Sequence, residues 1–143
     1  MRKDGKRTFT VSTPVGTFSR TTARSYTRLV VSCGMDEQIL IGKQLREIDF
    51  QRTTLNEYRA VMAGQRAPVC SIESYPGFIA SLERLLAELP EQHEQALLAN
   101  RLVIAERRGE LVGWSQSAAG AARMATDAIG QGRLGVTIYE VNQ

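Results

Sequence analysis

From Asp36 to Ala63 the chain contains no proline and a single glycine, Gly42. Ile41, Leu45, Ile48, Leu55 and Met62 recur there at helical spacing, with Tyr58 beside them. Asp36 is a suitable N-cap, so the span predicts one long amphipathic helix. Arg52 interrupts the apolar stripe, which argues against a coiled coil. The stripe is longer than one small sheet covers, so self-association through this helix is an expectation. Both ends of the chain read differently. Phe9 and Val11 alternate with Thr8, Thr10 and Ser12, and Leu134, Val136 and Ile138 alternate with Thr137, Tyr139 and Val141. Period-two alternation marks half-buried strands.

Between these anchors the pattern predicts an α+β fold. Arg7–Ser12 and Thr17–Arg20 form a hairpin around the turn Thr13-Pro14-Val15-Gly16. Ser25–Cys33 is a third strand whose end, Leu29-Val30-Val31, is apolar on both faces and therefore central. A loop runs from Gly64 to Gly77. One short helix carries Phe78, Leu82, Leu85, Leu86 and Leu89, Pro90 divides it from the next, and that one reaches Ala99. Arg101–Glu110 is ambiguous between a helical continuation and a hairpin. The β-branched run Leu102-Val103-Ile104-Ala105 and the glycine at Gly109 favour a hairpin returning along Leu111–Trp114. Ser115 or Ser117 then caps a helix with the small face Ala118, Ala121, Ala122 and Ala125, ended by Gly130 and Gly132. Strand–helix–strand over Leu111–Val141 permits a right-handed crossover. The expected architecture is one domain, residues 1–143: a basic β-hairpin region 6–33, a helical middle 36–99, and a hairpin–helix–strand region 101–141. It has a mixed, mostly antiparallel sheet of five or six strands, with the long helix and two or three shorter ones packed on it.

The chain's 143 residues suit one ordinary domain, and 43% hydrophobic with 23% charged residues are globular values. No apolar run approaches the roughly 20 residues of a transmembrane helix, so no membrane association is expected. The basic stretch Met1–Arg7 is followed by no apolar core and does not read as a secretory signal. Cys33 and Cys70 imply no disulfide framework and are expected as thiols in a reducing cytoplasm.

Catalytic chemistry finds little support. His93 is the only histidine, and it sits among Glu91, Glu94 and Gln95 in a helix expected to face solvent. No cysteine or second histidine stands at zinc spacing from it. Glu47 with Asp49 and Glu91 with Glu94 read as solvated helix faces, lacking the burial that tunes an acid–base pair. Gly113-Trp114-Ser115-Gln116-Ser117 leads from a strand into a helix start, where backbone N–H groups favour anions. Ordinary serine capping explains it equally well, and Trp114 reads as core. No enzyme activity, metal or cofactor is expected.

Charge is the strongest functional signal. Residues 1–28 carry seven basic side chains against the single acid Asp4, a net +6, while the remaining eleven basic and fourteen acidic residues give −3. If residues 24–30 are a strand, Arg24, Tyr26, Arg28 and Val30 share a face. Arginine forks with an aromatic between them suit phosphates and a stacked base. Arg20, Lys6 and Arg7 extend that surface. The expected binding site is therefore Lys6, Arg7, Arg20, Arg24, Tyr26 and Arg28, facing nucleic acid or an acidic protein surface. The competing reading puts Tyr26 in the core and lets Arg24 and Arg28 bridge to acids.

The string from Gly16 through Arg20, Arg24 and Tyr26 to Thr27, with the later Gly113-Trp114-Ser115-Gln116-Ser117, resembles small, uncharacterised phage and mobile-element proteins. That resemblance implies an accessory role in a bacterial mobile element. The expected function is a small non-catalytic binding protein engaging nucleic acid or a nucleoprotein. The alternatives are a protein-binding factor, such as an inhibitor of a host defence complex, and more distantly a small transferase or hydrolase.

Overall fold

The computed structural model describes residues 5–141. Along them run β1 (Arg7–Thr13), β2 (Gly16–Thr22), β3 (Arg28–Ser32), α1 (Glu37–Met62), α2 (Tyr75–Glu106), β4 (Glu110–Ser115), α3 (Ala118–Gly130) and β5 (Thr137–Glu140), with a single 3-10 turn at Ile72–Ser74. The chain is α+β. It packs as two compact units: one built from residues 5–39 and 99–141, the other from Leu40–Leu98.

The first unit holds all five strands. They do not join into one sheet, as the alternation suggested. β1 and β2 pair antiparallel as a two-stranded hairpin, and β4-β3-β5 form a separate three-stranded sheet, antiparallel throughout. The reason lies in side-chain burial. Phe9 and Val11 on the hairpin bury against Tyr26, Leu29, Val31, Trp114 and Val141, with Val15, Phe18 and Tyr139 at the margin. The hairpin thus covers a face of the sheet and does not extend its edge. In β3, Leu29 pairs with Trp114 and Tyr139 on that face. Val30 pairs with Gly113 and Ile138 on the opposite face, where Met124 of α3 lies close to Gly113. Val30 and Val31 are both fully enclosed, so a strand apolar on both sides is central, as read. Since β4 and β5 both oppose β3, they run parallel to each other, and α3 carries the chain across the intervening strand. One extra residue, Val112, is taken up as a bulge where the pairing jumps from Gly113 to Leu111.

All three helices end in the same way, and the ends explain where sequence and structure part. After α1, Gly64 adopts φ +74°, its N–H reaches the Val61 carbonyl, and the Gln65 N–H reaches that of Ala60. After α3, Gly132 (φ +91°) and Arg133 donate to Ile129 and Ala128 in the same pattern. This is the Schellman closure, in which a left-handed residue lets two N–H groups satisfy the last helical carbonyls. α2 closes identically through Arg107 (φ +52°) and Arg108, which donate to Ile104 and Val103. Residues 101–106 are therefore helix, and the hairpin expected at Leu102–Trp114 does not form. The left-handed residue of this turn is Arg107. Gly109 serves a different purpose: a Cβ there would stand 2.6 Å from both Val15 and Val31, so its absence lets β4 begin against the hairpin. Likewise α2 runs unbroken through Pro90, where two shorter helices were expected.

At the α1 entrance Asp36 Oδ1 accepts from the N–H groups of Gln38 and Ile39 at 2.9 and 3.3 Å, the capping geometry anticipated. The buried Asn100 amide brackets Met35, accepting from its N–H at 2.8 Å and donating to its carbonyl at 3.0 Å. Arg101 donates to Glu37, which holds that carboxyl below the ordinary carboxylate range. The contribution of this pair is present at neutral pH and disappears as pH falls through the lowered value.

The second unit is an antiparallel helical pair. Its centre is Leu55, Val61, Tyr75 and Leu89, and Tyr58, Tyr75 and Phe78 meet ring to ring at 5.4–5.8 Å. Tyr75 is almost fully enclosed, and its hydroxyl accepts from the Val69 N–H at 3.0 Å, pinning the connecting loop.

Two substitutions test this account. Gly109→Ala forces overpacking against Val15 and Val31 and should cost about 1–3 kcal/mol, read as a lower midpoint in urea. Arg107→Gly relieves a left-handed side chain and should stabilise by up to about 1 kcal/mol; a loss of stability there would refute the helix-end assignment.

Candidate functional site

The β1–β2 hairpin has two chemically distinct faces. Its register pairs Thr8 with Thr21, Phe9 with Arg20, Thr10 with Ser19, Val11 with Phe18, and Ser12 with Thr17. Because side chains alternate along a strand, the face that buries Phe9 and Val11 leaves every second residue pointing outward. That outer face consists entirely of hydroxyls. Thr8 and Thr21 approach to 2.8 Å, Thr10 and Ser19 to 3.0 Å, and Ser12 and Thr17 to 3.4 Å. All six residues are exposed. The alternation of Thr8, Thr10 and Ser12 was legible as a polar strand face, but its pairing with a second hydroxyl row depended on the register and was missed.

The expected cationic residues gather at the open end of the same hairpin. Lys6 and Arg24 are exposed just outside its two strands, Arg7 opens β1, and Arg20 lies two pairs further in, opposite Phe9. Arg7 donates to Ser25 Oγ at 3.0 Å, and its guanidinium lies 5.4 Å from the centre of the Phe9 ring. Arg20 covers Tyr26 at 5.1 Å. Both are cation–π contacts, which attach a charged group to an aromatic face. Arg24 is anchored through its backbone, whose N–H donates to Thr22 Oγ1 at 3.1 Å.

Two parts of the expected site are placed differently. β3 begins at Arg28, so Arg24 and Tyr26 precede it and share no strand face with Arg28 and Val30. Tyr26 is 4% exposed and meets Phe9 edge-on at 6.1 Å and Trp114 at 6.0 Å. With one face under Arg20, it is a core ring and does not present a stacking surface. Arg28 is half-buried, donates to the Thr27 carbonyl at 2.9 Å, and stands 3.8 Å from Glu140. The cationic group is thus Lys6, Arg7, Arg20 and Arg24, with Arg28 turned toward a carboxylate.

Other candidate chemistry resolves as follows. His93 is half-buried, not on an open helix face: its Nε2 lies 3.1 Å from Glu47 Oε2, and its carbonyl accepts from Gln44 at 3.2 Å. Ser117 caps α3 by accepting from the Gly120 N–H at 3.0 Å, Ser115 braces Ser117, and Trp114 is buried. A shallow cleft of about 230 Å³ is lined by Val112, Met124, Asp127, Ala128, Gln131 and Arg133, below the few hundred Å³ typical of small-molecule sites. Among the described residues no group of acidic, histidine or cysteine side chains is spaced to hold a metal, and no helix is long and apolar enough to cross a membrane. Cys33 and Cys70 are both unpaired thiols.

Tyr26→Ala should behave as a core deletion, costing about 3–5 kcal/mol by analogy with large aromatic truncations. Arg24→Ala, at an exposed position, should shift stability by less than roughly 0.5 kcal/mol. Thermal denaturation of the two variants separates these roles, and a Tyr26→Ala protein as stable as the native one would return Tyr26 to the surface.

Compared with family models, with curated proteins and with solved structures, the chain matches none of them.

Proposed function

We propose that this protein is a small, non-catalytic nucleic-acid-binding protein that acts in the cytoplasm as an accessory factor of a bacterial or phage mobile element. Its contact region is the open end of the β1–β2 hairpin. One observation carries the reading: Lys6, Arg7, Arg20 and Arg24 converge there, with no carboxylate in the sequence anywhere between Gly5 and Met35. A cluster of one sign raises the local concentration of phosphate and steers it inward. Arginine's planar fork then binds phosphate oxygens in pairs. The mobile-element assignment rests on the resemblance of the Gly16–Thr27 and Gly113–Ser117 strings.

A second reading, a protein-binding factor such as an inhibitor of a host defence complex, draws support from the helical unit. Leu45, Phe50 and Leu98 are each more than half exposed there, and apolar side chains of this size, where they adjoin in a patch, are what protein contact surfaces use. Pairing of two copies through α1 belongs to the same reading, and light scattering would report it as a dimer.

Salt titration distinguishes the two. Four phosphate contacts give a slope of about −3.6 in log affinity against log salt, so affinity for DNA should fall about a hundredfold between 50 and 200 mM salt. Arg24→Ala should reduce that slope by about one unit. Arg28→Ala, whose guanidinium already faces Glu140, should leave it nearly unchanged. Absence of any nucleic-acid binding at low salt would refute the proposal.

A further inference from the structure

We infer that the guanidinium groups of Arg7 and Arg20 are stacking platforms for unpaired bases, so that the cationic end of the hairpin takes single-stranded nucleic acid in preference to duplex. This rests on the nucleic-acid reading above and adds to it the class of nucleic acid and the part of the ligand that these two arginines meet.

Both arginines stand on the hairpin face that buries Phe9 and Val11, away from the hydroxyls. The register sets Thr22 opposite Arg7 and Arg20 opposite Phe9, so the two arginines are diagonal neighbours on that face. Diagonal neighbours in a sheet lie about 7–8 Å apart. The rings beside them are neighbours as well: Phe9 and Tyr26 are both buried, with their centres 6.1 Å apart. Arg7 lies over the first ring at 5.4 Å and Arg20 over the second at 5.1 Å. Both arginines are exposed residues. Each guanidinium therefore has a core ring behind it and solvent in front.

The charge on these groups is not neutralised within the protein. Arg28, Arg59, Arg66, Arg101, Arg108 and Arg133 each stand beside a carboxylate. Among the described residues Arg7, Arg20 and Arg24 have no such partner. A guanidinium is planar, its charge is delocalised, and it stacks on π faces. Splayed-out bases stack on arginine planes as they do on aromatic rings. In a duplex those base faces are covered by their neighbours, so a guanidinium face held in place by a core ring has nothing to meet there. An unpaired strand offers bare base faces and phosphates together. Arg7 and Arg20 then take the bases, while Arg24 and Lys6 beside them draw the backbone. Every base has a π face, so such a site tolerates any sequence.

The test uses the full chain and three fluorescent probes: a mixed-sequence 20-nucleotide single-stranded DNA, its duplex, and an abasic strand of the same length, which keeps the phosphates and lacks the bases. Fluorescence anisotropy should show the single strand bound about tenfold more tightly than either comparison. Its salt slope should be shallower than on duplex, about −0.7 per phosphate contact against −0.9. Arg7→Lys with Arg20→Lys keeps both charges and removes both planar faces. The pair should weaken single-strand binding about tenfold and leave the salt slope and the affinity for the abasic strand unchanged, with thermal denaturation confirming that the variant is folded. The abasic comparison needs only the native protein and stands whatever the stability of that variant. Equal or tighter binding of the duplex, equal binding of the abasic strand, or native single-strand affinity in the folded lysine variant each overturns the stacking assignment while leaving the cationic contact standing. Failure of the native protein to bind any of the three probes at low salt overturns both readings.

Discussion

The burial of Phe9 and Val11 against β3 is the constraint from which the rest of the first unit follows. Once those two side chains turn inward, strand geometry sends Thr8, Thr10 and Ser12 outward, and the hairpin register brings Thr21, Ser19 and Thr17 beside them. A slip of β1 by one residue would expose Phe9 and Val11 and bury the hydroxyls of Thr8, Thr10 and Ser12, exchanging apolar burial for desolvation of polar groups. The same inward turn seats the hairpin over Tyr26 and Trp114, so it lies across the sheet face and cannot join the edge. Gly109 completes the fit, because β4 starts beside the hairpin loop and a Cβ there would stand 2.6 Å from both Val15 and Val31. One packing decision therefore sets the layer order and the composition of the outer surface.

Much of this was legible in the residues, and the unread parts have physical causes. The long helix was found because Asp36 and Gly64 mark its ends with the residue types that capping and left-handed closure favour. Gly132 did the same for α3. α2 ends by the same hydrogen bonds, but its left-handed position is an arginine, and nothing in Arg107 announces a helix stop. The β-branched Val103 and Ile104 and the nearby Gly109 then suggested a strand and turn. Propensity yielded to the helix already running through Asn100, whose amide is committed to both backbone groups of Met35. Pro90 misled for a related reason. A proline costs a helix one hydrogen bond and some strain, and the flanking turns of α2 carry Leu85, Leu86 and Leu89 into the helical unit, which outweighs that cost.

The binding residues show the same division. Their charge was evident from composition, and four of the five expected cations do share one end of the hairpin. Their supposed alignment with Tyr26 was not real, because Ser25-Tyr26-Thr27 has the composition of a strand without being one in full. Thr27 does exchange backbone hydrogen bonds with Ser115 and Val141, but the chain bends before it, and the ring turns into the core. Period-two reasoning assigns faces only within a strand, so an error of three residues in its start reverses the role of an aromatic.

That reversal also changes how the arginines work. Had Tyr26 been exposed, Arg20 and Arg24 would be long side chains in water, and ordering them on a phosphate would cost rotamer entropy on the order of 1 kcal/mol each. With Tyr26 fixed in the core, Arg20 rests its guanidinium on a ring that does not move, and Arg7 is held between Phe9 and the Ser25 hydroxyl. Part of the ordering cost is thus met in folding, by contacts that also shield the core rings. Their cationic edges remain exposed, and only Arg24 is left to adapt. On the nucleic-acid reading proposed above, two ordered forks and one adaptable fork suit a ligand whose charges recur at fixed spacing better than a single anion.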